Sequence, residues 1–291
     1  MISLVPSRTF SNASLNDPPE RGGVNGGYLA KLLLDASTGS IELEAQQPRV
    51  VNVQFVSPPA FEPMTLDVEV LRRSRNSCFV SARIGQAGQT RAVGQLCYGQ
   101  SEAGPHQRTV AMPAALDPEA CIDAQLPDGL WPHFSQHCDY RIATVPAPVP
   151  FSGAERAEML CWIRLRHMPL DAGGLLFLFD AMFPAFFLAA TTPLRTVTTD
   201  FNVAFANTLP DRAGSDWVLM RLQVRDWTGG WCIEDAEAWS ANGLLLGVAR
   251  QMRRVFVRDR GVMDHQGRQI LQLPHRSTGQ RREVVGAGRH G

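Results

Sequence analysis

The alternation of apolar and polar residues divides the first part of the chain into one helix and four strands. A glycine-rich turn at 21–27, RGGVNGG, leads into YLAKLLLDAST, where apolar residues recur at the spacing of an amphipathic helix. From Pro48 the period changes to two, which is typical of strands with one buried face. The predicted strands are RVVNVQFVS, MTLDVEVLRR, SCFVSARIGQ and TRAVGQLCYG, each bounded by turn-forming residues.

The same order of elements recurs after a Pro-, Ala- and Asp-rich stretch at 101–135, which we interpret as a surface connector. An apolar helix is predicted at about 172–190. The strands predicted around it are HCDYRIA, EMLCWIRLRH, RTVTTDFNVAF, WVLMRLQVRD, GWCIEDAEAWS and LLLGVARQMRRVFV. This repetition indicates an ancient duplication and an α+β fold, with two antiparallel sheets each wrapped around a central helix.

The duplication also suggests how the chain is divided. We expect an N-terminal half at 1–100, the connector at 101–135 and a C-terminal half at 136–257 that carries the active site. After these comes a polar, glycine-rich tail at 258–291, for which we expect disorder.

Composition narrows the functional class. Lys plus Arg and Asp plus Glu number 28 each, so the chain lacks the basic excess that binding to nucleic acid requires. The six cysteines form no CxxC pair, and the sequence predicts neither a disulfide framework nor a zinc site. The first twenty residues do not resemble a secretory signal, so we expect a cytoplasmic location. The longest apolar run, 175–190, is too short for a membrane span and contains Asp180 and Pro184.

Several runs, in this order, resemble the acyl-CoA thioesterase II-like (TesB-like) family of double hot-dog proteins. They are NGGYLA, DPEACIDAQ, WIRLRHMPLDAGGLLFLFDAMFPA, TVTTDFNVAF and GVARQMRRV. The resemblance covers about residues 20–257 and implies hydrolysis of acyl-CoA to a free fatty acid and coenzyme A, without a metal or other cofactor. It implies that an Asp, a Thr or Ser and a Gln hold one water, and these fall on Asp180, Thr198 and Gln251. The family also implies a homodimer of double hot-dogs.

Thioester hydrolysis needs a placed water, a proton acceptor and donors for the developing oxyanion. Burial of Asp180 within LLFLFDAMF is expected to raise its pKa by desolvation, which favours its role as a base near neutral pH. The alternatives are a carboxyl that only bonds the helix to the sheet, and Asp200 as the base instead.

The other two candidates carry alternatives of their own. Regular alternation would place Thr198 on one strand face with Thr196 and Asp200, and Thr199 is the alternative hydroxyl. The Gln251 carbonyl would orient the water if it faced inward, but an outward-facing polar residue explains the same position. In the first half the matching position falls near Gln95 or Leu96. No acid occurs in the matching first-half strand, so we expect no competent site there.

Candidate substrate-binding residues lie on both helices. Amides of Asn25, Gly26 and Gly27 at the start of the first helix could bind a carbonyl oxygen or a phosphate, although a simple N-cap explains them equally well. Phe183 belongs to the Phe-rich helix that makes the acyl surroundings apolar. Arg253 and Arg254, with the basic run at 71–76, could meet coenzyme A phosphates or be solvated arginines.

A non-catalytic acyl-CoA or acyl-carrier-protein binder is the rival function. The nucleophile and metal motifs of other hydrolases, GxSxG and HExxH, do not occur in the sequence. Turnover of acyl-CoA, as opposed to binding alone, separates the two functions.

Overall fold

A computed structural model of the protein describes residues 1–41, 46–102, 104, 107, 110–124, 126–127, 129–206 and 217–256. The tail predicted to be disordered, 258–291, lies outside the described residues. In the part of the chain that is described, no helix has the length and apolar character needed to cross a membrane. The division into halves and connector stays a prediction.

The structure contains twelve strands and three α-helices in the described residues. The helices are α1 Gly26–Ser40, α2 Ala172–Phe179 and α3 Phe186–Ala189. The strands are β1 Ile2–Leu4, β2 Gln46–Phe55, β3 Met64–Arg73, β4 Ser77–Gln86, β5 Gln89–Gln100, β6 Ile122–Asp123, β7 Cys138–Ile142, β8 Glu158–Leu165, β9 Arg195–Phe205, β10 Val218–Thr228, β11 Trp231–Ser240 and β12 Leu245–Phe256. The first helix and all the predicted strands are confirmed. The pattern did not predict β1 and β6, because they are too short to show a period of two.

The strands form one continuous antiparallel sheet in the order β1-β3-β4-β5-β2-β9-β12-β11-β10-β8-β7-β6. The half-sheets of the two repeats join edge to edge where β2 pairs with β9, with Asn52 opposite Asn202. The inner faces of both half-sheets and the two longer helices bury one large apolar cluster. Pairing of β2 with β9 therefore gives each central edge strand a partner and leaves neither edge exposed.

The two longer helices pack closely and run in opposite directions. A β carbon at Gly27 would lie 2.8 Å from the carbonyl oxygen of Leu176, and one at Gly173 would lie 3.0 Å from Cγ of Lys31. Glycine at both positions allows this approach because it has no side chain. The start of α1 is thereby placed against the end of α2.

The apolar helix is shorter than the 172–190 that the pattern predicts. It ends at Phe179, and Asp180 caps it with φ −115° and ψ 9°, its N–H donating to the Phe177 carbonyl at 3.1 Å. Pro184 cannot continue a helix because it lacks the N–H and its ring clashes with the preceding turn. Asp180 therefore lies at the end of the helix, not on its side.

The described residues of the predicted connector contact two separate surfaces. Trp162 on β8 donates from Nε1 to the Leu116 carbonyl at 2.8 Å, so the connector packs on the outer face of the second half-sheet. Further along, Leu130, Trp131 and Phe134 help to line a cavity beside the end of α2. The connector is thus part of the wall of the candidate site.

Candidate active site

Asp180 is held at the point where α1 and α2 meet. Its Oδ2 accepts a hydrogen bond from the Gly27 N–H at 2.9 Å and another from Asn25 Nδ2 at 3.1 Å. Asn25 caps α1, and its Oδ1 accepts from the Tyr28 N–H at 2.9 Å. The positive end of a first-half helix therefore faces a second-half carboxylate.

The environment of Asp180 makes its carboxyl harder to ionise than usual. Burial raises its pKa above the ordinary value of 3.8, whereas the Arg253 guanidinium and hydrogen bonds from Gly27, Gln251 and Gly26 lower it. The Arg253 Nη2 lies 3.7 Å from Asp180 Oδ1, and the Asp180 side chain is only 11% exposed. Because burial outweighs the opposing effects, the carboxylate is a stronger proton acceptor than an exposed Asp.

Thr198 and Gln251 lie together beside the end of α2. Thr198 Oγ1 donates to Gln251 Oε1 at 2.9 Å, and Gln251 Nε2 donates to the Phe179 carbonyl at 3.1 Å. Gln251 is 3% exposed, so the alternative of an outward-facing polar residue is wrong. The structure thus brings Asp180, Thr198 and Gln251 together, with Gln251 linking the Thr198 hydroxyl to the residue that precedes Asp180.

A β-bulge in β9 separates Thr198 from Asp200. Asp200 pairs with Met252, and the next pair joins Thr198 to Arg253, which leaves Thr199 as the extra residue. The extra residue reverses the alternation, so the expectation that Thr198 and Asp200 share a face is wrong. The Asp200 carboxylate lies on the outer face, 3.5 Å from Asn52 Nδ2, and Asp200 is not among the residues that line the cavity.

Thr199 is a poorer candidate than Thr198, although both line the cavity. Its hydroxyl donates to the Met252 carbonyl at 3.0 Å, a bond within the bulge itself. Thr198, in contrast, exchanges hydrogen bonds with side chains that surround Asp180.

A buried ion pair between Arg253 and Glu234 completes the polar cluster. The two side chains are 5% and 2% exposed, and Arg253 donates from Nε and Nη2 to Glu234 Oε1 at 3.1 and 3.0 Å. Arg253 Nη1 also donates to Thr198 Oγ1 at 3.0 Å, and Glu234 Oε2 accepts from the Ala185 N–H at 2.6 Å. Arg253 is therefore not a solvated arginine, and its contacts lie with the candidate site.

Sequence reasoning missed Glu234 and gave Arg253 a different role, although the period of the strands contains the signal. Arg253 is two residues from both Gln251 and the buried Val255, so strand alternation places it on the same buried face. Glu234 is likewise two residues from the buried Cys232. Opposite charges on the apolar faces of two consecutive strands indicate a buried pair.

An apolar cavity of about 500 Å³ opens beside Asp180 and Thr198. Both halves and the connector contribute to its wall. Its apolar lining includes Leu29, Phe55, Leu130, Trp131, Phe134, Met182, Phe183 and Phe187. The cavity therefore places an apolar group next to the proposed base and hydroxyl.

The predicted substrate-binding residues have different surroundings. The Gly27 N–H and the Asn25 amide are bonded to Asp180, which makes the Gly27 N–H unavailable to a substrate. Asn25 and Gly26 also line the cavity, as does Phe183, which is 7% exposed. The N-cap interpretation of the turn is confirmed, whereas substrate binding by its amides stays a prediction.

The first half has apolar or unreactive residues at the equivalent positions. Asn25 and Asp171 each cap a helix by accepting from the amide three residues on, and β2 carries a bulge after Pro48 that matches the bulge in β9. Superimposing these features places Leu34, Pro48, Leu96 and Tyr98 where the second half has Asp180, Thr198, Gln251 and Arg253. The structure selects Leu96 over Gln95, and the first half lacks every polar member of the cluster.

The described residues contain no group of three or more His, Cys, Asp or Glu side chains that could hold a metal ion.

Comparison with known families assigns the fold and the family. Residues 16–99 match the acyl-CoA thioesterase N-terminal domain, and residues 118–255 match the acyl-CoA thioesterase C-terminal domain. The chain belongs to the acyl-CoA thioesterase II-like family. This thioesterase has no match among curated proteins.

Solved structures with the same fold cover most of this thioesterase. A conserved protein of unknown function with a hot dog fold from Alicyclobacillus acidocaldarius has 20% identity and a TM-score of 0.78, covering 88% of this chain and 93% of its own. Acyl-CoA thioesterase II TesB2 from Mycobacterium marinum has 19% identity and a TM-score of 0.66, covering 80% and 89%. These similarities confirm the double hot-dog fold.

Proposed function

We propose that this thioesterase hydrolyses acyl-CoA, with Asp180 as the general base for a water that is bound by Asp180 and Thr198. Asp180 takes a proton as the water oxygen bonds to the thioester carbon, and the carbon–sulfur bond then breaks. The coenzyme A thiolate leaves and recovers the proton, so that the products are the free acid and the thiol. Gln251 holds the Thr198 hydroxyl and the end of α2 in place.

The observation that carries this proposal is a buried carboxylate of raised pKa on the wall of an apolar cavity. Desolvation keeps the Asp180 carboxyl basic, and the cavity excludes competing water around an acyl chain. No covalent acyl-enzyme is needed, because a thioester carbonyl reacts readily with a water in the correct position. Phe183 and Gly26 are the proposed contacts of the acyl part.

Coenzyme A as the thiol carrier is supported by the two domain matches and by the Mycobacterium marinum relative, whose name specifies an acyl-CoA thioesterase. A homodimer and a cytoplasmic location also belong to this proposal. Sedimentation of the purified protein tests the first, and the location of a tagged chain in its own cell tests the second.

Release of free thiol from an acyl-CoA series of increasing chain length tests the function, with the same acyl groups on a carrier protein in parallel. We expect turnover with acyl-CoA and a rate that depends on chain length. Tight binding without thiol release would contradict hydrolysis and favour the non-catalytic binder. Thiol release from the acylated carrier protein alone would support a thioesterase but overturn coenzyme A as its thiol carrier.

A further inference from the structure

We propose that the buried Arg253–Glu234 pair is a positioning device, in which Glu234 holds Arg253 against the Thr198 hydroxyl and keeps its charge from pairing fully with Asp180. The inference rests on the proposed function, since it assigns these residues a part in the same reaction. It deepens that function by adding Glu234 and Arg253 to the groups on which the site depends.

The distances show how the Arg253 guanidinium is shared. Glu234 takes two N–H groups at 3.0 and 3.1 Å, whereas Asp180 lies 3.7 Å from Nη2, beyond normal hydrogen-bond length. Buried charge is stable only when paired and hydrogen-bonded. Glu234 therefore satisfies most of the Arg253 charge, and Asp180 receives only part of its attraction.

Arg253 also fixes the direction of the Thr198 hydroxyl. Nη1 donates to Thr198 Oγ1 at 3.0 Å, so the hydroxyl hydrogen points to Gln251 Oε1 at 2.9 Å. A hydroxyl has one donor and two acceptor positions, and this arrangement leaves one acceptor position for a water hydrogen. The pair thus sets which lone pair of Thr198 is available in the cavity.

Glu234 further connects the pair to the cavity wall. Its Oε2 accepts from the Ala185 N–H at 2.6 Å, in the segment that follows Phe183. The carboxylate joins β11, β12 and the wall through three hydrogen bonds. Displacing it would move the guanidinium and this segment together.

Among the described residues, few charged or titratable groups face the Asp180 carboxyl. From β12 the charged group is Arg253, while β11 contributes Glu234 and the Cys232 thiol, which lie beside Arg253. α1 presents Asn25 and uncharged backbone amides. A change of charge at Glu234 should therefore reach Asp180 chiefly through Arg253.

Glu234→Gln tests the control of charge. With the Glu234 charge removed, Arg253 should stabilise ionised Asp180 more strongly, moving the acidic limb of the kcat profile down by about one pH unit. The plateau rate should fall because a weaker base accepts the proton less readily. Asp235→Asn is the matched control, since Asp235 is a β11 carboxylate that pairs with Arg250 on the outer face. Its profile should match that of wild type.

The double variant Arg253→Met with Glu234→Met separates positioning from folding. Replacing both members of a buried pair by apolar side chains is often tolerated, whereas removing one leaves a buried charge unpaired. We expect a folded protein with kcat lowered at least about tenfold, KM little changed and an altered pH profile. A folded double variant with wild-type kcat and profile would overturn the proposal.

Titration of Asp180 by NMR in carboxyl-labelled protein gives a readout that is independent of turnover. The Asp180 pKa should be lower in Glu234→Gln than in wild type, and an unchanged pKa would overturn the proposal. If the Asp180 pKa were lower in Glu234→Gln but the wild-type protein released no thiol, the pairing would stand and the proposed function would fail. The two failures are therefore distinguishable.

Discussion

Asp180→Asn removes the negative charge of the proposed base while keeping the shape of its side chain. The amide oxygen introduced by this substitution can still accept from the Gly27 N–H and the Asn25 amide, so the end of α2 should stay in place. A general base contributes about 10²–10⁴-fold to rate, or about 3–5 kcal/mol of barrier. We expect kcat for acyl-CoA hydrolysis to fall by that factor with KM little changed, as measured by thiol release.

The same substitution has a predicted effect on stability. Folding raises the pKa of Asp180 above 3.8, so its contribution to stability is complete below that pH and is lost as pH rises through the folded value. Asn cannot ionise and does not lose stability in this window. The free energy of unfolding of the variant minus that of wild type should therefore increase with pH from about 4 and level off above the folded pKa, as measured by urea unfolding.

Asp200→Asn is the control, because Asp200 is the rival carboxylate and lies on the outer face beside Asn52. It should retain turnover within about threefold of wild type. The reasoning is refuted if Asp180→Asn stays that active, or if Asp200→Asn loses the activity instead. A difference in unfolding free energy that declines with pH would refute the electrostatic part.

Three further substitutions, two of them with a control substitution beside them, test the surrounding structure. Thr198→Val should lower kcat at least about tenfold because two buried hydrogen bonds are lost. Thr199→Val should keep most of the wild-type kcat, because the Thr199 hydrogen bond lies within the bulge. Equal losses in the two variants would contradict the choice of Thr198 as the hydroxyl of the site. Gly27→Ala should reduce both activity and melting temperature, because the added β carbon would lie 2.9 Å from Cβ of Asp180. Gly39→Ala is the control: a β carbon there would have no neighbour within 4 Å, so the substitution should raise the melting temperature slightly. Phe183→Leu should enlarge the cavity and move the preferred acyl chain to a longer length in the thiol-release series; an unchanged preference would remove Phe183 from the acyl site.

The strand pattern was sufficient to predict most of the fold. Period-two runs such as SCFVSARIGQ coincide with β4, because one face of each strand must be buried while the other meets solvent or polar groups. The end of α2 could not be predicted from the pattern, because apolar residues continue beyond Phe179 through Phe186. Local backbone geometry at Asp180 and the ring of Pro184 end that helix.

The candidate site depended on features that a one-dimensional pattern shows only in part. Regular alternation gave Asp200 the face of Thr198, and a single bulge residue reversed it. The partner of Asp180 lies 155 residues earlier at Asn25, and only the packing of one helix on the other brings the two together. The buried pair of Glu234 and Arg253 could have been predicted from strand alternation, but only by comparing the buried faces of two strands.

Direct attack by a water held at Asp180 is the central claim, and a single turnover in ¹⁸O-labelled water tests it. With enzyme in excess over acyl-CoA, the products are separated and analysed by mass spectrometry, together with the peptide that contains Asp180. The account predicts one ¹⁸O atom in the released acid, and neither ¹⁸O nor an acyl group on the Asp180 peptide when the reaction is quenched during the turnover. An acyl group on that peptide, or ¹⁸O in the Asp180 carboxyl with unlabelled acid, would show an acyl-enzyme anhydride, and the absence of any free acid would contradict hydrolysis itself.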